Sequence, residues 1–238
     1  FSHDHFYFLA GHFHEAFHAY QSRRFNEAAG VKSGFGEPIA TSPRAGTAEF
    51  AARAEIERRI LAAALRTPSL DSLRPLLLGY LAVRHARSWG APDVQQVERA
   101  MELDEGTAGL VGYEAALLAT DQPRARIPEV VVERELGKPL AGMPEFPESD
   151  ARLMRWRMYG TGAALGLLLE RLGRRDWRAR AEAGSYLDVM LAHAVGFRHV
   201  EHVPLDEQAR RRFGYDAVLS GAEAGRGRGG GPPPPPVP

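Results

Sequence analysis

The chain contains no cysteine, and this absence excludes two classes of site. A disulfide framework and a thiolate metal site both need cysteine, so any metal ion must be held by histidine, aspartate or glutamate. Long apolar runs are missing as well, since none approaches the ~20 residues that a membrane-spanning helix requires. The formal net charge is +0, so no overall field favours a nucleic acid or an anionic membrane surface. We therefore expect neither a membrane span nor a nucleic-acid partner.

The two ends of the chain differ in composition from its middle. The sequence begins at Phe1 rather than at a methionine, and we expect that residues upstream of the domain are missing. From Gly221 onward it is rich in glycine and arginine and then in proline. Such a segment cannot bury apolar area, so we expect residues 221–238 to form a disordered tail. Residues 1–220 are long enough for one domain with a sizeable core.

Hydrophobic periodicity and turn residues predict that this domain is mainly α-helical. The segments expected to be loops are 30–46 and 137–149, both rich in glycine and proline. One β-like run, IPEVVVERE at 127–135, stands among them, but a single short strand does not make a sheet. The expected fold is therefore mainly α with little or no sheet. The helices that we expect after the first are 47–66 capped by Thr47, 69–89 opened by Ser69, 94–119 capped by Asp93 with a bend near Gly106, 153–172, 177–194 and 199–213.

The first helix carries the pattern H-E-x-x-H, formed by His14, Glu15 and His18. Residues four apart lie on one face of an α-helix, so both imidazoles can reach one cation. Glu15 is rotated by about 100° from His14, which places its carboxylate beside a water on the cation. Two nitrogen ligands and a neighbouring general base are what a zinc hydrolase requires.

Apolar residues at helical spacing accompany this motif, namely Phe6, Ala10, Phe13 and Phe17. They predict that the first helix is buried on most of its sides, which would give the site a dry wall. The alternative is a core helix whose histidines are only hydrogen-bonded and whose Glu15 is solvated. Two histidines hold zinc poorly, so the metal hypothesis needs a third ligand. No histidine follows His18 at the H-x-x-G-x-x-H spacing, and a carboxylate is therefore expected.

A second segment, Glu102 to Glu114, contains E-G-x-A followed by a tyrosine. With the H-E-x-x-H motif upstream, the chain resembles the gluzincin branch of zinc metallopeptidases. A vaguer likeness continues in Tyr159-Gly160-Thr161-Gly162 and the leucine-rich helix after it. The resemblance implies a zincin-like fold, Zn²⁺ as cofactor, His14 and His18 as ligands, Glu15 as base and Glu105 as third ligand. The long segment between His18 and Glu105 departs from the family's pattern and would have to form an inserted helical hairpin.

Other carboxylates and donors compete for the roles at this site. Glu57 and Glu49 are rivals of Glu105, since they are nearer to the motif in sequence, and each of the three is otherwise a solvated side chain. For the oxyanion of the reaction we select Tyr159, with Tyr113 and His193 as alternatives. Asp104 or Glu102 would orient a ligand imidazole from the second layer.

Three functions remain open from the sequence. The first is a zinc-dependent peptidase acting on a peptide or protein, expected outside the cytoplasm because chains resembling this one often carry export signals. The second is a metal-binding domain on the same fold that no longer cuts its substrate. The third is an α-helical interaction domain in which the H-E-x-x-H pattern is fortuitous.

Overall fold

The computed structural model describes residues 3–25, 42, 44–137 and 150–229. Within these ranges the chain is helical and forms no strand, so the prediction of a mainly α structure is confirmed. The α-helices are α1 His3–Arg24, α2 Ala48–Arg66, α3 Leu70–Ser88, α4 Pro92–Met101, α5 Thr107–Ala119, α6 Ile127–Val131, α7 Asp150–Arg171, α8 Trp177–Glu182, α9 Leu187–Val195, α10 His202–Phe213 and α11 Tyr215–Gly229. Two π-helices, Glu102–Gly106 and Val132–Leu136, and two 3-10 turns, Arg124–Arg126 and His199–Glu201, connect some of them.

Helix α7 runs through the centre of the core. Its residues 163–169 are buried, and they are mostly alanine and leucine. It packs against α5, α9, α2 and the first π-helix, Glu102–Gly106. Helices α2 and α3 pack as a pair, with α10 packed against α3 and α11 packed against α2. In the sequence, α2 and α3 lie between His18 and Glu105. They are the inserted helical hairpin that we expected there.

Several helix ends follow local capping rules. Thr47 accepts a hydrogen bond from the Phe50 amide and caps α2, and Ser69 accepts one from the Asp71 amide and caps α3. The cap expected at Asp93 is wrong, because Pro92 is already inside α4 and Ala91 precedes it. Proline has no amide hydrogen and suits the first helical position, and the helix starts two residues earlier than expected.

The β-like run at 127–135 is helical, and this expectation is corrected. It forms α6 and most of the second π-helix, Val132–Leu136. Ile127, Val130, Val131 and Val132 are all buried between helices, and this packing outweighs the strand preference of β-branched residues. Pro128 lies in the first turn of α6, where proline is tolerated.

Two other boundaries differ from those expected. The helix expected over 177–194 is divided into α8 and α9, because Gly184 has a φ of 91° and a left-handed residue ends a helix. Residues 221–229 continue α11 rather than starting a disordered tail. This part of the tail still contains alanine, glutamate and arginine, which are good helix formers. Residues 230–238 and most of the expected loops 30–46 and 137–149 lie outside the described residues.

Helix α1 lies on the surface and is anchored by α5. A Cβ atom added to Gly112 of α5 would lie 2.5 Å from the carbonyl oxygen of Ala10, so the two helices approach closely there. Other sides of α1 are open, with Phe8 60% and Phe13 36% exposed. The expectation that α1 is buried on most of its sides is therefore wrong. No described helix combines the length and apolar character needed to cross a bilayer.

Candidate metal centre

His14 and His18 meet on the face of α1 that is turned toward the rest of the domain. Both side chains are half-buried, and their Nε2 atoms are 2.9 Å apart. The rings are nearly perpendicular, with centroids 4.6 Å apart. The i, i+4 spacing thus brings the two imidazoles to one point, as the motif predicts.

Glu105 reaches the same point from the first π-helix. Its Oε2 atom is 3.3 Å from Nε2 of His14 and 3.3 Å from Nε2 of His18. Among the described residues, this is the one group of three histidine or acidic side chains whose ligand atoms all lie within 4.8 Å of one another. The π-helix is a short wide turn between α4 and α5, and such turns are frequent at functional sites.

The three atoms fit the dimensions of a tetrahedral zinc site. With zinc–ligand bonds of about 2.0–2.2 Å, neighbouring ligand atoms stand about 3.3–3.6 Å apart. The separations here are 2.9, 3.3 and 3.3 Å, so a point about 2 Å from all three atoms lies just under ~1 Å out of their plane. Two imidazole nitrogens and one carboxylate also form a donor set used by catalytic zinc sites. The residues present therefore fit a zinc ion.

The electrostatics of the cluster follow from its contacts. Burial raises the pKa of Glu105, but hydrogen bonds from His14, His18 and Tyr159 outweigh it and hold that pKa well below its usual range. Hydrogen bonds to Asp104 and Glu105 raise the pKa of His18 to about 10, although burial opposes them. Both shifts have the same cause, the attraction between the carboxylates and the imidazoles of the cluster.

Tyr159 approaches the cluster from α7. Its ring stacks on His14 with centroids 5.7 Å apart and an angle of 11° between the planes, and it hydrogen bonds to Glu105. The hydroxyl thus lies beside the ligand atoms, whereas the polar groups of the two alternatives have other neighbours. The Tyr113 hydroxyl is hydrogen-bonded to Glu135, and His193 lies on α9 beside Trp177.

Glu15 lies on α1 next to His14 and is exposed. Within the described part of the chain its carboxylate makes no hydrogen bond or ion pair. It is absent from the group of three ligand atoms, as a base beside the metal should be. Its position next to His14 and its exposure leave the carboxylate open to solvent at the edge of the cluster.

The rival carboxylates are occupied by arginines. Glu57 is buried and paired with Arg87, with Oε1 2.5 Å from Nε. Glu49 is exposed and pairs with Arg53. Glu102 is fully buried and receives two hydrogen bonds from Arg84, at 2.6 and 2.9 Å.

These three carboxylates are therefore not part of the histidine cluster. The other predicted second-layer residue does contact it, since Oδ1 of Asp104 is 3.4 Å from Nδ1 of His18. Sequence reasoning selected Glu105 over Glu57, and the structure brings Glu105 to the histidines.

One residue of the site escaped sequence reasoning. Gln21 is buried and its side-chain oxygen is 2.7 Å from Nδ1 of His18. It follows His18 by three residues and therefore lies on the same helical face. That spacing is a usable signal, but a glutamine is too common on helices to be singled out by it.

Comparison of the chain with protein-family models, with curated proteins and with solved structures gives no match. The arrangement of the side chains is therefore the basis for a functional conclusion.

Proposed function

We propose that this chain is a zinc-dependent peptidase in which His14, His18 and Glu105 hold the metal. The observation that carries the proposal is the convergence of the two Nε2 atoms and Oε2 at 2.9, 3.3 and 3.3 Å. The order of the motifs supports it, because the pair of histidines precedes the Glu105 segment as in the gluzincin branch that the sequence resembles, and a vaguer likeness continues at Tyr159. When bound, zinc supplies Lewis acidity toward a carbonyl group and activates a water molecule.

The residues of the chain have separate roles in this proposal. Glu15, one residue after His14, takes a proton from the attacking water and delivers it to the leaving amine. Tyr159 donates its hydroxyl hydrogen toward the oxygen on which negative charge develops. Its contact with Glu105 places it beside the ligands before substrate arrives. Asp104 interacts with the ring nitrogen of His18 that faces away from the cluster.

The proposal is tested by metal analysis together with peptide hydrolysis. The purified protein, dialysed against zinc and then buffer, should retain one zinc per chain, and His18→Ala should lose it because only two ligands remain. A pool of internally quenched peptides serves as substrate. Glu15→Gln should keep the zinc and the thermal stability but lose hydrolysis by a factor of about 10² or more, since only the base is removed.

The outcomes separate the three functions left open by the sequence. Stoichiometric zinc with hydrolysis that disappears in Glu15→Gln supports the peptidase. Zinc with no hydrolysis, or with equal hydrolysis in both proteins, would refute the enzyme and leave a metal-binding domain. A protein that retains no zinc would refute the site altogether and favour the helical interaction domain.

A further inference from the structure

Gln21 connects the two elements that carry the proposed ligands. It lies on α1, one turn after His18, and its side chain is 5% exposed. Its oxygen contacts Nδ1 of His18 at 2.7 Å. Its nitrogen contacts the carbonyl oxygens of Leu103 and Asp104 at 3.2 and 2.8 Å. A single amide thus reaches from a ligand imidazole to the first π-helix, which carries Glu105.

The orientation of this amide is set by the backbone. Carbonyl oxygens only accept hydrogen bonds, so the NH₂ group of Gln21 must face Leu103 and Asp104. The side-chain oxygen then faces His18, and because this oxygen can only accept, Nδ1 of His18 must carry a hydrogen. With Nδ1 protonated, Nε2 is the nitrogen of His18 that is available to bind a metal. It is also the atom that lies 3.3 Å from Oε2 of Glu105.

The same amide holds the first π-helix against α1. A wide turn disturbs the regular hydrogen bonding of a helix, and its carbonyl groups need other partners. Gln21 supplies a donor to two of them, and it also contacts Oγ1 of Thr107 at 3.0 Å. Thr107 in turn donates to the Leu103 carbonyl. Glu105 therefore stands on a turn whose backbone is bonded to the helix that presents the histidines.

We propose that Gln21 is a positioning residue of the metal centre. With Asp104, which also contacts Nδ1 of His18, it fixes the ring nitrogen through which His18 binds, and of the described residues it alone bonds α1 to the backbone of the turn that carries Glu105 through the carbonyls of Leu103 and Asp104. This inference rests on the proposed zinc site and adds a residue to it. Glutamine suits both tasks because its side chain has an acceptor and two donors, whereas glutamate offers only acceptors and methionine offers no strong hydrogen bond.

The test compares Gln21→Met with the unaltered protein and with Gln95→Met. Methionine has a similar length and no amide. Gln95 is a suitable control because it is also a helical glutamine with a hydrogen bond, to Ser88 at 3.0 Å, and lies outside the cluster. Zinc affinity is measured by competition with a chromophoric chelator. Loss of an outer contact of this kind typically weakens metal binding by about 10–100-fold, and we expect this for Gln21→Met and less than about twofold for Gln95→Met.

A spectroscopic measurement distinguishes positioning from a general loss of stability. Cobalt(II) replaces zinc, and its visible spectrum reports the coordination geometry. The spectrum of Gln21→Met should differ from that of the unaltered protein, while that of Gln95→Met should not. In the unaltered zinc protein, nitrogen NMR should show a proton on Nδ1 of His18 that is protected from exchange. This last measurement needs no variant, so an Nδ1 of His18 without a proton would overturn the inference even if Gln21→Met fails to fold.

The results that overturn the inference are distinct from those that overturn the zinc site. Absence of zinc binding by the unaltered protein would refute the site and this inference with it. Equal zinc affinity and equal cobalt spectra in Gln21→Met and the unaltered protein would refute the inference alone. Coordination of zinc through Nδ1 of His18 would also refute it.

Discussion

The contact between α7 and the first π-helix depends on two facing glycines, and Gly162→Ala should disturb it. A Cβ atom at residue 162 would lie 2.4 Å from the carbonyl oxygen of Glu102 and 2.7 Å from the Cα atom of Gly106. Both neighbours are backbone atoms and cannot rotate away. Because ordinary contacts begin near 3.4 Å, the two elements must separate by about 1 Å.

The expected loss of stability follows from this separation. Overpacking in a tightly packed core typically costs about 1–3 kcal/mol, which corresponds to a melting temperature lower by roughly 2–12 °C for a chain of this size. The site should suffer as well, because Glu105 precedes Gly106 and Tyr159 lies on α7. A shift of about 1 Å between these elements spoils the placement of functional groups, so we expect zinc affinity to fall by about tenfold or more.

Gly109→Ala is the matched control for this variant. Gly109 lies in α5 shortly after the first π-helix, and a Cβ atom there would meet nothing within 4 Å. Alanine is favoured over glycine in a helix by up to about 1 kcal/mol. The melting temperature of Gly109→Ala should therefore be equal to or above that of the unaltered protein. Calorimetry of the zinc-free proteins and chelator competition measure both effects. An unchanged or raised melting temperature in Gly162→Ala would refute the reasoning.

Two further predictions concern parts of the domain outside the ligand cluster. Arg87 is fully buried and pairs with Glu57 and Glu98, so Arg87→Met should lower the free energy of unfolding by about 3–5 kcal/mol because these two buried carboxylates then have only the one cation of Arg157 between them. Chemical denaturation measures this, and a loss below about 1 kcal/mol would contradict it. Burial and the neighbouring imidazoles, His199 among them, lower the pKa of His85 below its usual 6.5. The unfolded chain then binds this proton more readily, so stability present above pH 6.5 is lost as the pH falls through the folded pKa. Thermal melts from pH 7 to 5 should show a smaller acid-induced loss in His85→Gln, and an equal loss would disprove the role of His85.

The parts of the structure that follow from short-range patterns could be predicted from the sequence. The caps at Thr47 and Ser69 are local, because a side chain bonds an amide two or three residues away. The meeting of His14 and His18 is also local, as it depends only on helical spacing. Glu105 was selected through a resemblance of motifs rather than through geometry. No local pattern indicates that the first π-helix and α5 return the chain to α1.

The buried charges could not be predicted in this way. Along the sequence, Glu98, Glu102 and Glu105 form an ordinary acidic helix face, which is typical of solvated helices. In the structure Glu98 and Glu102 are fully buried, and arginines from α3 and α7 neutralise them. The residues around a glutamate in the sequence do not indicate which arginine of another helix will pair with it. Their burial is stable because each carboxylate is paired and hydrogen-bonded.

The different partners along this acidic face explain why position 105 is the one that suits a metal ligand. A carboxylate held by two hydrogen bonds from a buried arginine, as Glu102 is by Arg84, would leave an unpaired buried cation if it turned to bind a metal. The ion pairs of Glu105 are instead with His14 and His18, and imidazoles become neutral when they bind a metal. Its negative charge then remains available to the ion. The distinction between the two glutamates thus lies in the helices that face them.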